Sequence, residues 1–144
     1  MIKNDAVPAA IMFVEEGREV ILPVDGKSML PFIVGGSDSV ALHKPESLRK
    51  GDIVLAHTQE KGYVIHRIDS IGGDGLYALL GDGNLAFREH CLLSDIKAIA
   101  THVIKPDGKR KPLNEGWLKF AGKIWRMLLP ARRYLLWIYR KFFL

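Results

Sequence analysis

Three residues of this chain could together break an acyl bond, and each sits where the local sequence displays or isolates it. Ser28 follows a Gly-containing turn in Gly26-Lys27-Ser28-Met29-Leu30-Pro31, and Pro31 stops regular structure from continuing, so the hydroxyl is held on a bend. His66 is an imidazole in the otherwise apolar run Tyr63-Val64-Ile65-His66-Arg67-Ile68, and Asp82 lies in Gly81-Asp82-Gly83-Asn84. A serine hydroxyl is a weak nucleophile until a base accepts its proton, and imidazole can do so near neutral pH. A carboxylate can then fix the imidazole tautomer and stabilise its charged form.

Taken singly, each residue also has an ordinary structural explanation: a turn serine, a core histidine bonded to a carbonyl, and an Asx turn. What links them is a hairpin. The apolar runs 62–71 and 76–80 flank Gly72-Gly73-Asp74-Gly75, so pairing about that loop places His66 opposite Gly81 and beside Asp82. Whether Asp82 shares a face with His66 depends on a register that the loop leaves open, because a slip of one residue reverses the side chain. Lys27 and Lys61 are the rival bases; Lys27 adjoins Ser28 and should point away from it, and Lys61 sits in the turn before the His66 strand. His43, His57, His90 and His102 carry no motif. Cys91 is the only cysteine, which excludes an internal disulfide and a multi-cysteine metal site, and it reads as packing. The sequence calls for no cofactor and no metal.

The elements that must position these residues are mostly strands. Residues 6–16 predict a short helix with Pro8 in its first turn and Gly17 at its end. Short β-branched or aromatic runs at 18–24, 39–43, 52–57, 63–71, 76–80 and 96–104 follow, separated by Gly, Pro, Asp and Ser clusters. This divides the chain into an N-terminal helical segment (1–17), a β-rich domain (18–104), a linker (105–115) whose Pro/Gly/basic start at 105–111 reads as a linker or turn, and a helical tail (116–144) broken or kinked at Pro130. In the tail, Lys119, Lys123, Arg126 and Arg133 recur at helical steps in one stripe, and Trp117, Phe120, Ile124, Leu128 and Leu135 in another.

The segments GKSMLP, LRKGDIVL, VIHRI and LLGDGN, in this order between residues 20 and 104, resemble the boxes of the signal peptidase and LexA-like serine peptidase superfamily. The resemblance implies a mainly β, partly open barrel and a serine endopeptidase that cleaves a peptide or protein precursor. It assigns the nucleophile to Ser28, and the His66-Arg67 pair is similar to the histidine-type, endoplasmic-reticulum-like branch, not to the lysine-type branch. That branch carries an acid in the GD box, which maps to Asp82, and a second acid several residues later, for which Glu89 is the nearest candidate. Gly26 stands where bacterial signal peptidases have an oxyanion-assisting serine, so the backbone amide of Ser28 is the expected oxyanion donor.

The composition of the 144 residues bounds the setting: 48% hydrophobic and 26% charged residues make a packed domain and exclude wholesale disorder. The net charge of +5 is uneven, with 10 Lys and Arg against 14 Asp and Glu up to residue 104, and 11 against 2 from residue 105 onward. All three Trp lie in the tail. A basic aromatic helix suits an anionic membrane surface better than nucleic acid, and no helix-turn-helix domain fits ahead of Ser28. The run 6–14 is preceded by Asp5 and followed by Glu15-Glu16, unlike a signal peptide, and no apolar run reaches the roughly 18 residues of a spanning helix. These features predict a cytoplasmic protein, peripheral at the inner membrane face through residues 116–144. The alternatives are a self-cleaving LexA-like protein, for which Ala9-Ala10 is the small-residue site ahead of Ser28, and a non-enzymatic membrane- or partner-docking module on the same fold.

Overall fold

The computed structural model describes residues 6–26, 28, 29, 32–83, 88–113, 124, 127 and 131–143. Helix α1 (Val7–Glu15) presents Val7, Ala10 and Val14, spaced by three and four, to the core and ends at Gly17, whose φ of +85° only glycine adopts without strain. The strands then form one antiparallel sheet: β1 (Val20–Pro23), β2 (Ser39–His43), β3 (Ile53–Thr58), β4 (Gly62–Ile71), β5 (Leu76–Leu80), β6 (Glu89–Leu92), β7 (Ile96–Ile104) and β8 (Arg110–Pro112). Their spatial order is β1-β2-β7-β3-β4-β5-β6, with β8 also paired to β7.

The sheet is curled into a half-barrel. At its far end the curl is tied by the amide of Gln59 donating to the carbonyl of His90 (3.3 Å), and by the Glu60 carboxylate, which accepts from the His90 amide (2.9 Å). Curling gives the central strands two buried faces, so β3 and β4 lack a simple alternation of buried and exposed residues. One face carries Ile53, Leu55, Ile65, Ala98 and Ala100 and is covered by α1 and the segment containing Met29 and Ile33. The other carries Val54, Ala56, Val64, Ile68, Leu79, Cys91 and Ile96.

Two elements depart from the sequence expectation. The segment 105–115, expected as a linker with a linker or turn at its start, is a turn that continues into the sheet up to Leu113: Lys105 and Lys109 close it through a backbone bond of 2.9 Å, β8, which the sequence pattern does not predict, pairs with β7, and Leu113 is buried. Pro106-Asp107-Gly108 is turn chemistry, with Gly108 at φ +86°, and a turn between two strands has the same composition as a linker. Strand β6 falls in a stretch, Glu-His-Cys-Leu, that lacks β-branched residues and gave no strand signal. In the tail, helix α2 (Arg132–Phe143) begins after Pro130. Lys119, Lys123, Arg126, Trp117, Phe120 and Leu128 lie outside the described residues. Among the described residues no helix is long and apolar enough to cross a membrane.

Candidate active site

Ser28 sits in the loop between β1 and β2, whose path is fixed from several sides. Met29 and Ile33 are buried anchors, and the Met29 carbonyl accepts from the amides of Phe32 and Ile33 (both 3.1 Å). The buried Asp38 carboxylate accepts from the Val34 amide and from Lys105 Nζ (both 2.8 Å), closing the loop's return to β2. Gly35 packs so tightly that a Cβ there would collide with the backbone of Gly26 and Asp25. The Ser28 carbonyl accepts from the Gly83 amide at 2.7 Å, which pins the serine to the segment following β5.

The β4–β5 hairpin decides what Ser28 meets. Ile71 pairs with Tyr77 and Ser70 with Ala78, but a bulge at Asp69 shifts the ladder, so Ile68 pairs with Leu79 and Arg67 with Leu80. Continued one step, this places His66 opposite Gly81, as the hairpin pattern predicts. A Cβ at Gly81 would stand 3.1 Å from both His66 Nε2 and Ser28 Cβ and would collide with the Ser28 carbonyl oxygen. The absence of a side chain at this one position is therefore what lets the Ser28 segment and the imidazole both close on it. No hydrogen bond joins Ser28 to His66 in the structure; catalytic hydrogen bonds often tighten only when substrate is bound.

Asp82 is expected beside His66, and the structure gives it a different partner. Without the bulge, the register begun at Ile71 and Tyr77 would set Asp82 directly opposite His66; with it, Asp82 aligns with Ile65 and takes the face of Arg67. There both oxygens of the buried Asp82 carboxylate accept from Arg67, from Nε at 2.8 Å and from Nη2 at 2.7 Å. Arg67 Nη1 donates to the Gly51 carbonyl (2.8 Å), and its guanidinium lies over the Phe32 ring at 5.5 Å. The pair thus ties together the Ser28 loop, the β4 strand and the turn before β3.

The carboxylate at the imidazole is Glu89. Its Oε1 lies 3.2 Å from His66 Nδ1, both side chains are almost wholly buried, and Lys61 Nζ is 3.4 Å from the same oxygen. Glu89 comes from β6, paired through Leu79 to β5, and the curl of the sheet turns its side chain back toward β4. Burial is the largest influence on its carboxyl and opposes ionisation, but His66 and Lys61 together outweigh it and hold the group below the ordinary carboxylate range. The contact is close but misaligned: His66 Nδ1 and both Glu89 oxygens lack a hydrogen bond of good geometry among the described residues. Lys61, the rival base, is therefore placed on Glu89. Lys27, the other rival, lies outside the described residues.

The remaining titratable candidates sit apart. His43 pairs with Glu19 (2.7 Å), His90 with Glu60 (3.0 Å), and His102 Nδ1 contacts the Thr101 hydroxyl (2.9 Å). Burial pushes the Cys91 thiol up to about 11, so it stays protonated and unreactive near neutral pH. Among the described residues no three His, Cys, Asp or Glu side chains cluster as a metal site would need. The sequence pattern missed β6 and the Arg67–Asp82 pair. The one available signal was that Glu89 and Cys91 stand two residues apart, as inward-facing residues of a strand do. No protein-family model matches the chain, and no curated protein does.

Proposed function

We propose that this chain is a serine endopeptidase that cleaves a peptide or protein precursor, with Ser28 as nucleophile, His66 as general base and then acid, and Glu89 as the carboxylate that holds His66. The observation that carries the proposal is the meeting at Gly81: Ser28 and His66 Nε2 abut one side-chain-free position, while the other ring nitrogen faces a buried, ionised carboxylate. In the reaction, Ser28 Oγ bonds to the scissile carbonyl carbon as its proton passes to His66 Nε2. The protonated imidazole, balanced by Glu89, then gives that proton to the departing amine as the C–N bond breaks. Water, deprotonated by His66, adds to the acyl carbon, and as the ester C–O bond breaks the imidazolium returns that proton to Ser28 Oγ.

Among the described residues the Ser28 amide makes no hydrogen bond, which leaves it available to the oxyanion. The order of the GKSMLP, LRKGDIVL, VIHRI and LLGDGN segments and the curled, mainly β sheet support a signal-peptidase-like reading. In this proposal Asp82 shapes the loop through Arg67 and has no direct part in proton transfer. Self-cleavage at Ala9-Ala10 draws no support, since that bond lies inside α1 with Ala10 buried and peptidases need an extended segment.

An activated fluorophosphonate, which traps serines already made nucleophilic, tests the proposal. Labelling of the wild-type chain and its loss in Ser28→Ala is the expected result. Equal labelling of the two would overturn it.

A further inference from the structure

Helix α2 carries a feature that the peptidase proposal leaves unused. At 100° per residue, Tyr134, Ile138 and Phe142 fall on one side of the helix, opposite the buried Leu136. They are large, apolar and open to solvent, Tyr134 at 72% and Phe142 at 68% exposure, with Trp137 at 59% on the border of the same stripe. Exposed Arg133 and Arg140 lie between Trp137 and Leu136, and Lys141 is drawn onto the Trp137 ring, its Nζ 4.7 Å from the centroid. A helix whose packed side is already defined by Leu136 has no structural need for a row of exposed aromatics, and a contiguous exposed apolar patch marks an interaction surface.

We infer that α2 is an interfacial helix that seats the protein on an anionic lipid bilayer, Tyr134, Trp137, Ile138 and Phe142 entering the head-group boundary and Arg133, Arg140 and Lys141 meeting lipid phosphates. Charge selects this occupant over a protein groove or a second copy of the chain. Residues 116–144 hold seven Lys and Arg and no Asp or Glu, so the tail offers no acidic group to satisfy a basic partner surface, and two such tails repel. Aromatics select it over nucleic acid: Trp and Tyr beside long cations form the amphipathic pattern of a membrane interface, where ring and ammonium stem are buried and the charge reaches the phosphates. The inference stands on α2 and the charge of residues 116–144, and is independent of the reaction at Ser28.

The full chain should co-sediment with phosphatidylcholine vesicles containing phosphatidylglycerol and far less with phosphatidylcholine alone, and high salt should weaken the difference. Replacing Arg133, Arg140 and Lys141 by Gln should lower the partition to the anionic vesicles about a hundredfold, at roughly fivefold for each cation near the surface. Trp137→Ser with Phe142→Ser should lower it at least about tenfold. In each variant, unchanged circular dichroism and unchanged fluorophosphonate behaviour relative to the parent chain establish that the fold is kept. Vesicle binding that is equal for the parent and the Trp137/Phe142 variant overturns the inference, as does tighter binding to short duplex DNA than to the anionic vesicles. Concentration-dependent dimerisation without vesicle binding also overturns it, by assigning the stripe to a second copy.

Discussion

His66 and Arg67 are neighbours on one strand, each is buried, each faces a buried carboxylate, and the two pairs are built to opposite ends. Arg67 and Asp82 form a two-pronged hydrogen-bonded pair, with a third guanidinium bond to Gly51 and a ring beneath it. His66 and Glu89 are in contact without alignment, and the other ring nitrogen lies beside Gly81, the position that Ser28 also borders. A buried charge pair with its hydrogen bonds complete is a fixed structural element, because any movement strands a charge in a low-dielectric interior. A buried pair with bonding capacity left over can still take up or release a proton, which general acid–base work requires. One side of β4 thus holds the loop in place, and the other is where the proposal puts the chemistry.

The largest effect that would sharpen this contrast is Ser28→Ala or His66→Ala, each expected to lower kcat by roughly 10⁴-fold or more on a cleavable peptide while the melting temperature stays within a few degrees. Arg67→Met should do the reverse in kind. Leaving the Asp82 charge buried without its main partner should cost about 3–5 kcal/mol in chemical denaturation, and activity should follow the folded fraction. If Arg67→Met removed activity at unchanged stability, the division between the two faces would be broken.

Glu89→Gln comes next, with kcat/KM falling about 10²–10³-fold because the imidazolium loses its counter-charge. The Glu89 carboxyl is held below its ordinary value in the folded protein, so its ionisation adds stability above the unfolded carboxylate value of about 4.3 and loses that contribution as pH falls through the folded value. The stability gap between wild type and Glu89→Gln should therefore be constant near neutrality and close under acid, as followed by thermal melts across pH. Gly81→Ala should lower activity about 10²-fold by moving Ser28 and His66 apart, and lower stability by about 1–3 kcal/mol. Smallest is the surface case: Arg110 and His43 outweigh desolvation and hold the Glu19 carboxyl at about 2, with the Arg110 hydrogen bond the strongest cause. The melting difference between wild type and Glu19→Gln should persist above about pH 4.3 and vanish toward pH 2, with no change in activity at neutral pH.

Much of the scaffold is legible in the linear pattern. Alternation and turn clusters place α1, β2, β3, β4, β5 and β7 within a residue or two, because apolar periodicity and Gly/Pro/Asp punctuation are local properties. The hairpin loop Gly72–Gly75 is equally local, and it sets His66 against Gly81. Strands β6 and β8 are not legible, since a strand without β-branched residues exists only because a neighbour's unpaired edge accepts it. Glu89 could be named as a candidate acid, but nothing near it in the sequence says that it faces His66 and not solvent.

The sequence by itself determined a mainly β chain, an accessible Ser28, an imidazole in an apolar strand and a tail in which cations alternate with aromatics. The tertiary structure decided which carboxylate meets His66 and which meets Arg67. A single bulged residue, Asp69, reverses the face of everything beyond it on the hairpin and hands Asp82 to Arg67, and closure of the sheet across three strands delivers Glu89 to His66. Side-chain type and spacing are written residue by residue, whereas the face a strand residue occupies depends on register, and register depends on pairings between segments distant in the chain.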